Sequence, residues 1–192
     1  MGSERPTTEN TSTLLFSGHM IDRAGRAESR FPAAKEAAAA RALDDILRRL
    51  DASASSVAIC GGACGGDLLF AEAAARLGCA IWLYLPFARE AFIEASVDIG
   101  AGDWRPRFEA MERVAERERI GDASPDDPMA FAANNARMLE AARSIQRSTS
   151  PLDLVCIWDG RVGDGPGGTG DMIQKAIMTG ARVSRIDPRT LD

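Results

Sequence analysis

Val57-Ala58-Ile59-Cys60-Gly61-Gly62-Ala63-Cys64-Gly65-Gly66-Asp67-Leu68-Leu69-Phe70 decides how this chain folds. Four apolar residues of strand-like length run into a glycine cluster, and the cluster runs into a helix-like stretch over 68–77 that stops at Gly78. Glycine reaches φ > 0 and lets a ligand touch the main chain, while the helix that follows aims its unpaired N–H groups into the same space. The arrangement recurs near the other end. There a nearly all-apolar run over 152–158 leads into Gly163-Asp164-Gly165-Pro166-Gly167-Gly168-Thr169-Gly170-Asp171, followed by a helix over 172–178 and a stop at Gly180. Two such loops in matching contexts predict a cradle for a small phosphorylated molecule.

The remaining elements extend the same alternation. Leu14-Leu15-Phe16 reads as a first buried strand opening at Ser17-Gly18-His19. A helix over 32–50 follows, with Leu43, Ile46, Leu47 and Leu50 at i, i+3, i+4, i+7 and Asp44, Asp45, Arg48 and Arg49 opposite. A third strand over 80–85 ends at Pro86; a helix over 128–145 carries Phe131, Met138, Ala142 and Ile145 on one side, with Asn134, Asn135 and Arg137; an edge-like strand covers 182–186. Segment 103–127 is charged and offers no strand, only a helical stripe of Phe108, Met111, Val114 and Ala115, and 112–119 reads as a solvated helical face. The fold class expected is α/β, a Rossmann-like, doubly wound, mostly parallel sheet of five to six strands with helices on both faces. Right-handed crossovers place the third, second and first strands on one side and the last two on the other. Ligands bind outside the carboxyl ends of strands at such a switch point, where Ser17-Gly18-His19 and loop 159–171 converge with 61–67 beside them.

Composition narrows the functional classes. With 192 residues and 45% hydrophobic content, one domain over 13–192 is expected after a polar, disordered tail over 1–12. The tail lacks the apolar stretch of a signal peptide or membrane anchor, so a cytoplasmic protein without a membrane partner is expected. Net charge is −5, and basic residues are interleaved with acids, as in Glu116-Arg117-Glu118-Arg119, which argues against a nucleic-acid partner. Cys60, Cys64, Cys79 and Cys156 read as buried free thiols. Cys60 and Cys64 with the single histidine, His19, fall short of a zinc site, so neither metal nor cofactor is expected.

From Leu14 to Ile186 the sequence resembles the SLOG superfamily, the Rossmann-like group that includes the Lonely Guy phosphoribohydrolases, Smf-related DNA-processing proteins and nucleotide-sensing domains of bacterial defence systems. The resemblance is carried by Phe16-Ser17-Gly18, by Gly61 through Asp67, and by Pro166-Gly167-Gly168-Thr169-Gly170, which is similar to the PGGxGTxxE motif of Lonely Guy enzymes. Those enzymes cleave the N-glycosidic bond of cytokinin nucleoside monophosphates. Here Asp171 stands where that motif has threonine and Gln174 where it has its catalytic glutamate, and a glutamine cannot stabilise an oxocarbenium-like sugar. The family's His-x-Arg-Lys signature is similar to Asn135-Ala136-Arg137-Met138, in which only the arginine is kept. The resemblance therefore implies a binding role for Arg137, and a homodimer.

The candidate ligand-binding residues are Ser17, Gly18, His19, Gly61, Gly62, Gly65, Gly66, Asp67, Asn135, Arg137, Asp159, Gly165, Gly167, Gly168, Thr169, Gly170 and Asp171. Asp67 and Asp171 stand at helix starts, where N-capping alone accounts for an aspartate, yet either carboxylate is also able to accept ribose hydroxyls. His19 is a candidate acid, base or donor, with Asp22 three residues on to orient it or to cap a turn. Asn134 and Asn135 are poor mid-helix residues, which points them at a polar site such as a base edge. Trp158 reads as core, and Asp159 as a group within reach of ribose. The expected function is binding of a nucleotide-like small molecule, as a sensor or carrier. The alternatives are an N-glycoside hydrolase of nucleoside monophosphates, with Asp171 as the first candidate catalytic carboxylate, and an interaction module with a vestigial pocket.

Overall fold

The computed structural model describes residues 12–145, 152–161 and 165–192. The expected tail over 1–12, Ser12 excepted, and Gly163 and Asp164 of the second glycine cluster lie outside the described residues. Six strands, β1 (Thr13–Gly18), β2 (Val57–Cys60), β3 (Ala80–Leu85), β4 (Arg117–Ile120), β5 (Asp153–Ile157) and β6 (Arg182–Ile186), form one parallel sheet in the order β4-β3-β2-β1-β5-β6. The chain is an open, doubly wound α/β fold, with its switch point between β1 and β5.

Period-two alternation splits the core into two layers. Leu14 and Phe16 of β1, Cys60 of β2 and Val155 and Ile157 of β5 face one side, packed with Leu43, Leu47, Leu69 and Phe70 from α1 (Glu36–Arg49) and α2 (Gly66–Arg76) and with Trp104 and Phe108 from α4 (Trp104–Val114). A short helix, α3 (Arg89–Phe92), and a wide turn at Ile93–Val97 lead into α4. Leu15, Ile59, Tyr84, Leu154 and Cys156 face the other side, under Met138 and Ala142 of α5 (Ala130–Ile145) and Met172, Ile173 and Ala176 of α6 (Thr169–Met178). All four cysteines are buried free thiols within these layers, and burial pushes the Cys156 thiol up to about 12.

Three expectations need correction. Residues 117–120 are not part of a helical face: Arg117-Glu118-Arg119-Ile120 is the edge strand β4, paired with Trp82 through Leu85. Water solvates most of this strand, so it needs no apolar alternation; the Arg117 guanidinium lies 3.8 Å from the centre of the Trp82 ring and covers its face. Of the expected stripe on α4, Phe108 is buried whereas Val114 is 57% exposed. Trp158 is half-buried beyond the end of β5, packed against the margin of the second layer with Gly170 against its ring, not inside the core.

Candidate functional site

The strand ends at the switch point surround a cavity of about 370 Å³. Its walls come from the exit of β1 (Ser17, Gly18, His19), the first glycine loop and α2 (Gly61, Ala63, Asp67), the end of β3 (Pro86), α5 (Asn134, Asn135, Met138) and the second glycine loop (Pro166 to Thr169). Segment 20–31, for which the sequence offers no regular element, contributes Met20, Arg26 and Arg30. Seven polar lining side chains, those of Ser17, His19, Arg30, Asp67, Asn134, Asn135 and Thr169, belong to residues that are at most 9% exposed. Met20 and Phe131 are large apolar residues that line the cavity and yet stay 37% and 41% exposed, which gives the mouth an apolar rim.

The glycine loops are shaped from within. The start of α2 is capped by Gly65, not by Asp67, and the start of α6 by Gly168, not by Asp171. Each aspartate reaches back to a glycine of its own loop: Gly61 N–H donates to Asp67 Oδ1 at 2.8 Å, and Gly167 N–H to Asp171 Oδ2 at 3.0 Å. The expected capping role is thus replaced by a loop closure. Several of the glycines serve close packing between chain segments. A Cβ on Gly65, at φ +89°, would overlap the backbone of Ile21, one on Gly66 would meet the Phe16 ring at 2.9 Å, and one on Gly167 would lie 2.6 Å from Ala132 N of α5.

Asp159 does not line the cavity. Its carboxylate is fully buried behind the wall, where Arg30 Nε and Nη2 donate to it at 3.1 and 2.8 Å and Arg161 N–H at 3.1 Å. His19 Nε2 lies 3.1 Å from the same carboxylate, so Asp159, not Asp22, holds the imidazole. Burial alone would raise this carboxyl; Arg30, the Arg161 N–H and His19 outweigh it and hold it well below the ordinary carboxylate range. Asp22 instead closes segment 20–31 by accepting from Ser29 Oγ and the Arg30 and Phe31 N–H groups. Asp67 shifts the other way: burial pushes its carboxyl up to about 7 against the N–H groups that lower it.

Of the expected site residues, Ser17, Gly18, His19, Gly61, Asp67, Asn135, Gly167, Gly168 and Thr169 come together on the wall. Gly62, Gly65, Gly66, Arg137, Asp159, Gly165, Gly170 and Asp171 do not line it. Arg137 braces the carboxyl ends of the paired strands β3 and β4, donating from Nη1 to the Leu85 carbonyl at 3.2 Å and to Asn134 Oδ1 at 3.1 Å, with Nη2 3.5 Å from the Arg119 carbonyl. Asp171 is bound by Lys175 Nζ at 2.8 Å. Burial raises the Asp171 carboxyl, and Lys175 with the Gly167 N–H outweighs it, so the group lies below its ordinary range. Gln174 is exposed. Asn134 and Asn135 both face the cavity while anchoring its walls, Nδ2 of the first on the Tyr84 carbonyl (2.6 Å) and Nδ2 of the second on the Gly167 carbonyl (2.8 Å).

No protein-family profile and no curated protein matches the chain. Among solved structures it is similar to the structural genomics target TM1055, with 14% identity and a TM-score of 0.50 over 90% of this chain and 72% of that one. The likeness is one of fold. DNA processing protein A (DprA) from Streptococcus pneumoniae aligns with a TM-score of 0.43 and 15% identity, over 91% of this chain and 58% of that one. Among the described residues no helix is long and apolar enough to cross a membrane, and no three His, Cys, Asp or Glu side chains are grouped so as to hold a metal ion.

Proposed function

We propose that this domain binds a nucleotide or nucleotide-derived ligand in the switch-point cavity, as a sensor or carrier. The observation that carries the reading is that one cavity is lined by three chemistries. Thr169, the first residue of α6, offers a helix N–H and Arg26, whose partner Asp22 is 3.4 Å away, a guanidinium; these suit a phosphate. Pro86, Phe92, Phe131 and Met138 offer an apolar surface for a base. Ser17, Asp67 and Asn135 offer hydrogen-bonding groups to a sugar. A volume of about 370 Å³ lies in the range of small-molecule sites. The resemblance of Pro166 to Gly170 to the Lonely Guy loop supports the same class of ligand.

The reading favours binding over cleavage, because Asp171 is held by Lys175 outside the cavity wall and Gln174 faces solvent. A panel of nucleoside mono- and diphosphates is expected to raise the melting temperature, by an amount equivalent to about 2.7 kcal/mol at a hundred times Kd. Phe131→Ala is expected to weaken binding by about 1–3 kcal/mol, the range of base–aromatic stacking. No stabilisation by any nucleotide at millimolar concentration would leave the vestigial-pocket alternative. Efficient release of free base and ribose phosphate, abolished by Asp171→Asn, would replace the binding reading with the hydrolase.

A further inference from the structure

Asp67 lacks what the carboxylates around it have. Asp159 meets Arg30 at 2.8 Å, Asp171 meets Lys175 at 2.8 Å, and Asp22 meets Arg26 at 3.4 Å. Asp67, 7% exposed and the one acid among the described lining residues, is satisfied by main-chain N–H groups, with Gly61 N at 2.8 Å from Oδ1. The titratable groups that face it are thiols: Cys60 at the end of β2 and Cys64 in the glycine loop, both raised by burial and so uncharged at neutral pH. Elsewhere on the cavity wall, His19 and Arg30 are engaged by Asp159 and Arg26 by Asp22.

A buried carboxylate without a cation is costly, and such a group lowers the cost by keeping its proton. With Oδ1 accepting from Gly61, the proton belongs on the second oxygen. A neutral acid there donates a hydrogen bond to a ligand, whereas an anion there repels a phosphorylated one. Resting on the nucleotide reading above, we propose that Asp67 is a specificity residue of this site: it keeps its proton in the complex and donates it in a hydrogen bond to an acceptor atom of the bound nucleotide. The site thereby selects ligands that present an acceptor at this point, and ligand binding takes up a proton once the free protein has lost it. Burial puts that loss near pH 7, since the free carboxyl is pushed up to about 7.

The test is calorimetric titration of AMP into the whole chain from pH 6 to 9, at each pH in two buffers of different ionisation heat. Above pH 7 the phosphate of AMP is largely doubly ionised and contributes little. The wild type is expected to lose affinity by nearly tenfold per pH unit above about 7 and to take up close to one proton per AMP at the alkaline end. Asp67→Asn carries an uncharged donor in the same place. It is expected to bind AMP at pH 9 about as the wild type does at pH 6, with a flat pH profile and no proton uptake. Affinity independent of pH in the wild type, or a pH profile that survives in Asp67→Asn, overturns the proposal and leaves the nucleotide reading standing. AMP binding to neither protein at pH 6 counts against both. In the ligand-free protein, a carboxyl carbon resonance absent from Asp67→Asn is expected to titrate near 7; titration near 4 also overturns the proposal.

Discussion

Arg30→Ala is expected to cost about 3–5 kcal/mol of folding stability, read as a fall in the midpoint of urea unfolding at neutral pH. The size follows from what would remain. Asp159 is fully buried and keeps its charge because Arg30 supplies two donors at 2.8 and 3.1 Å; without them the carboxylate is left with His19, the Arg161 N–H and, at 3.7 Å, the half-exposed Arg161 guanidinium. The loss is expected to shrink toward acid pH, where the stranded carboxyl takes up a proton. The wild type behaves oppositely. Its Asp159 carboxyl lies below its unfolded value, so its contribution is present above the ordinary carboxylate range and is lost only as the pH falls through the lowered value. Replacing both partners, as in Arg30→Met with Asp159→Leu, is expected to restore much of the loss, because no unpaired charge remains. A cost below about 1 kcal/mol for Arg30→Ala would mean that water reaches Asp159.

Gly65→Ala is the second large effect. The residue has φ +89° and ψ −120°, a conformation that side chains rarely adopt, and its Cβ would overlap Ile21 N and lie 3.0 Å from Met20 C. Neither neighbour is able to rotate away, because both are main chain: Gly65 pairs with Met20 in an isolated antiparallel bridge, and Gly66 N–H donates to the His19 carbonyl at 3.1 Å. Strain alone costs about 1–3 kcal/mol, and separating the two backbones adds to it. Gly25→Ala is the control. Gly25 has φ +77° with nothing within 4 Å of the added carbon, so its cost is expected to stay near 1–2 kcal/mol. Similar costs at the two positions would show that conformation matters at Gly65 and contact does not.

The parts of the fold that were readable from the sequence are those whose burial forces a pattern. β1, β2, β3 and β5 are buried along nearly their whole length, so each is a short apolar run, and glycines or prolines mark their ends. β4 left no such trace: an edge strand of two arginines, a glutamate and an isoleucine solvated over most of its surface has no face to hide. The cavity wall was legible where a loop adjoins a strand end, as at Ser17 to His19 and Gly167 to Thr169. It was not legible at Arg30, whose partner Asp159 is 129 residues away and is brought to it by the β1–β5 pairing. Segment 20–31 has no periodicity, although a long irregular connection at the carboxyl edge of a parallel sheet is where ligand-facing residues concentrate. Arg137, singled out through a resemblance, is not among the cavity's lining residues; its guanidinium holds carbonyls at the ends of β3 and β4.

The aspartate closures have a consequence for motion. Gly61 N–H is bound by Asp67, Gly167 N–H by Asp171, and the Gly167 carbonyl by Asn135. The most pliable residues of the chain therefore sit in some of its most tightly tied positions. Their amides are expected to exchange with deuterated solvent far more slowly than that of Gly25, and an equal rate would contradict the tie. A cradle whose shape is completed during folding has little ordering left to do when a ligand arrives, so free and occupied cavities should differ mainly in the settings of the rim side chains Met20 and Phe131.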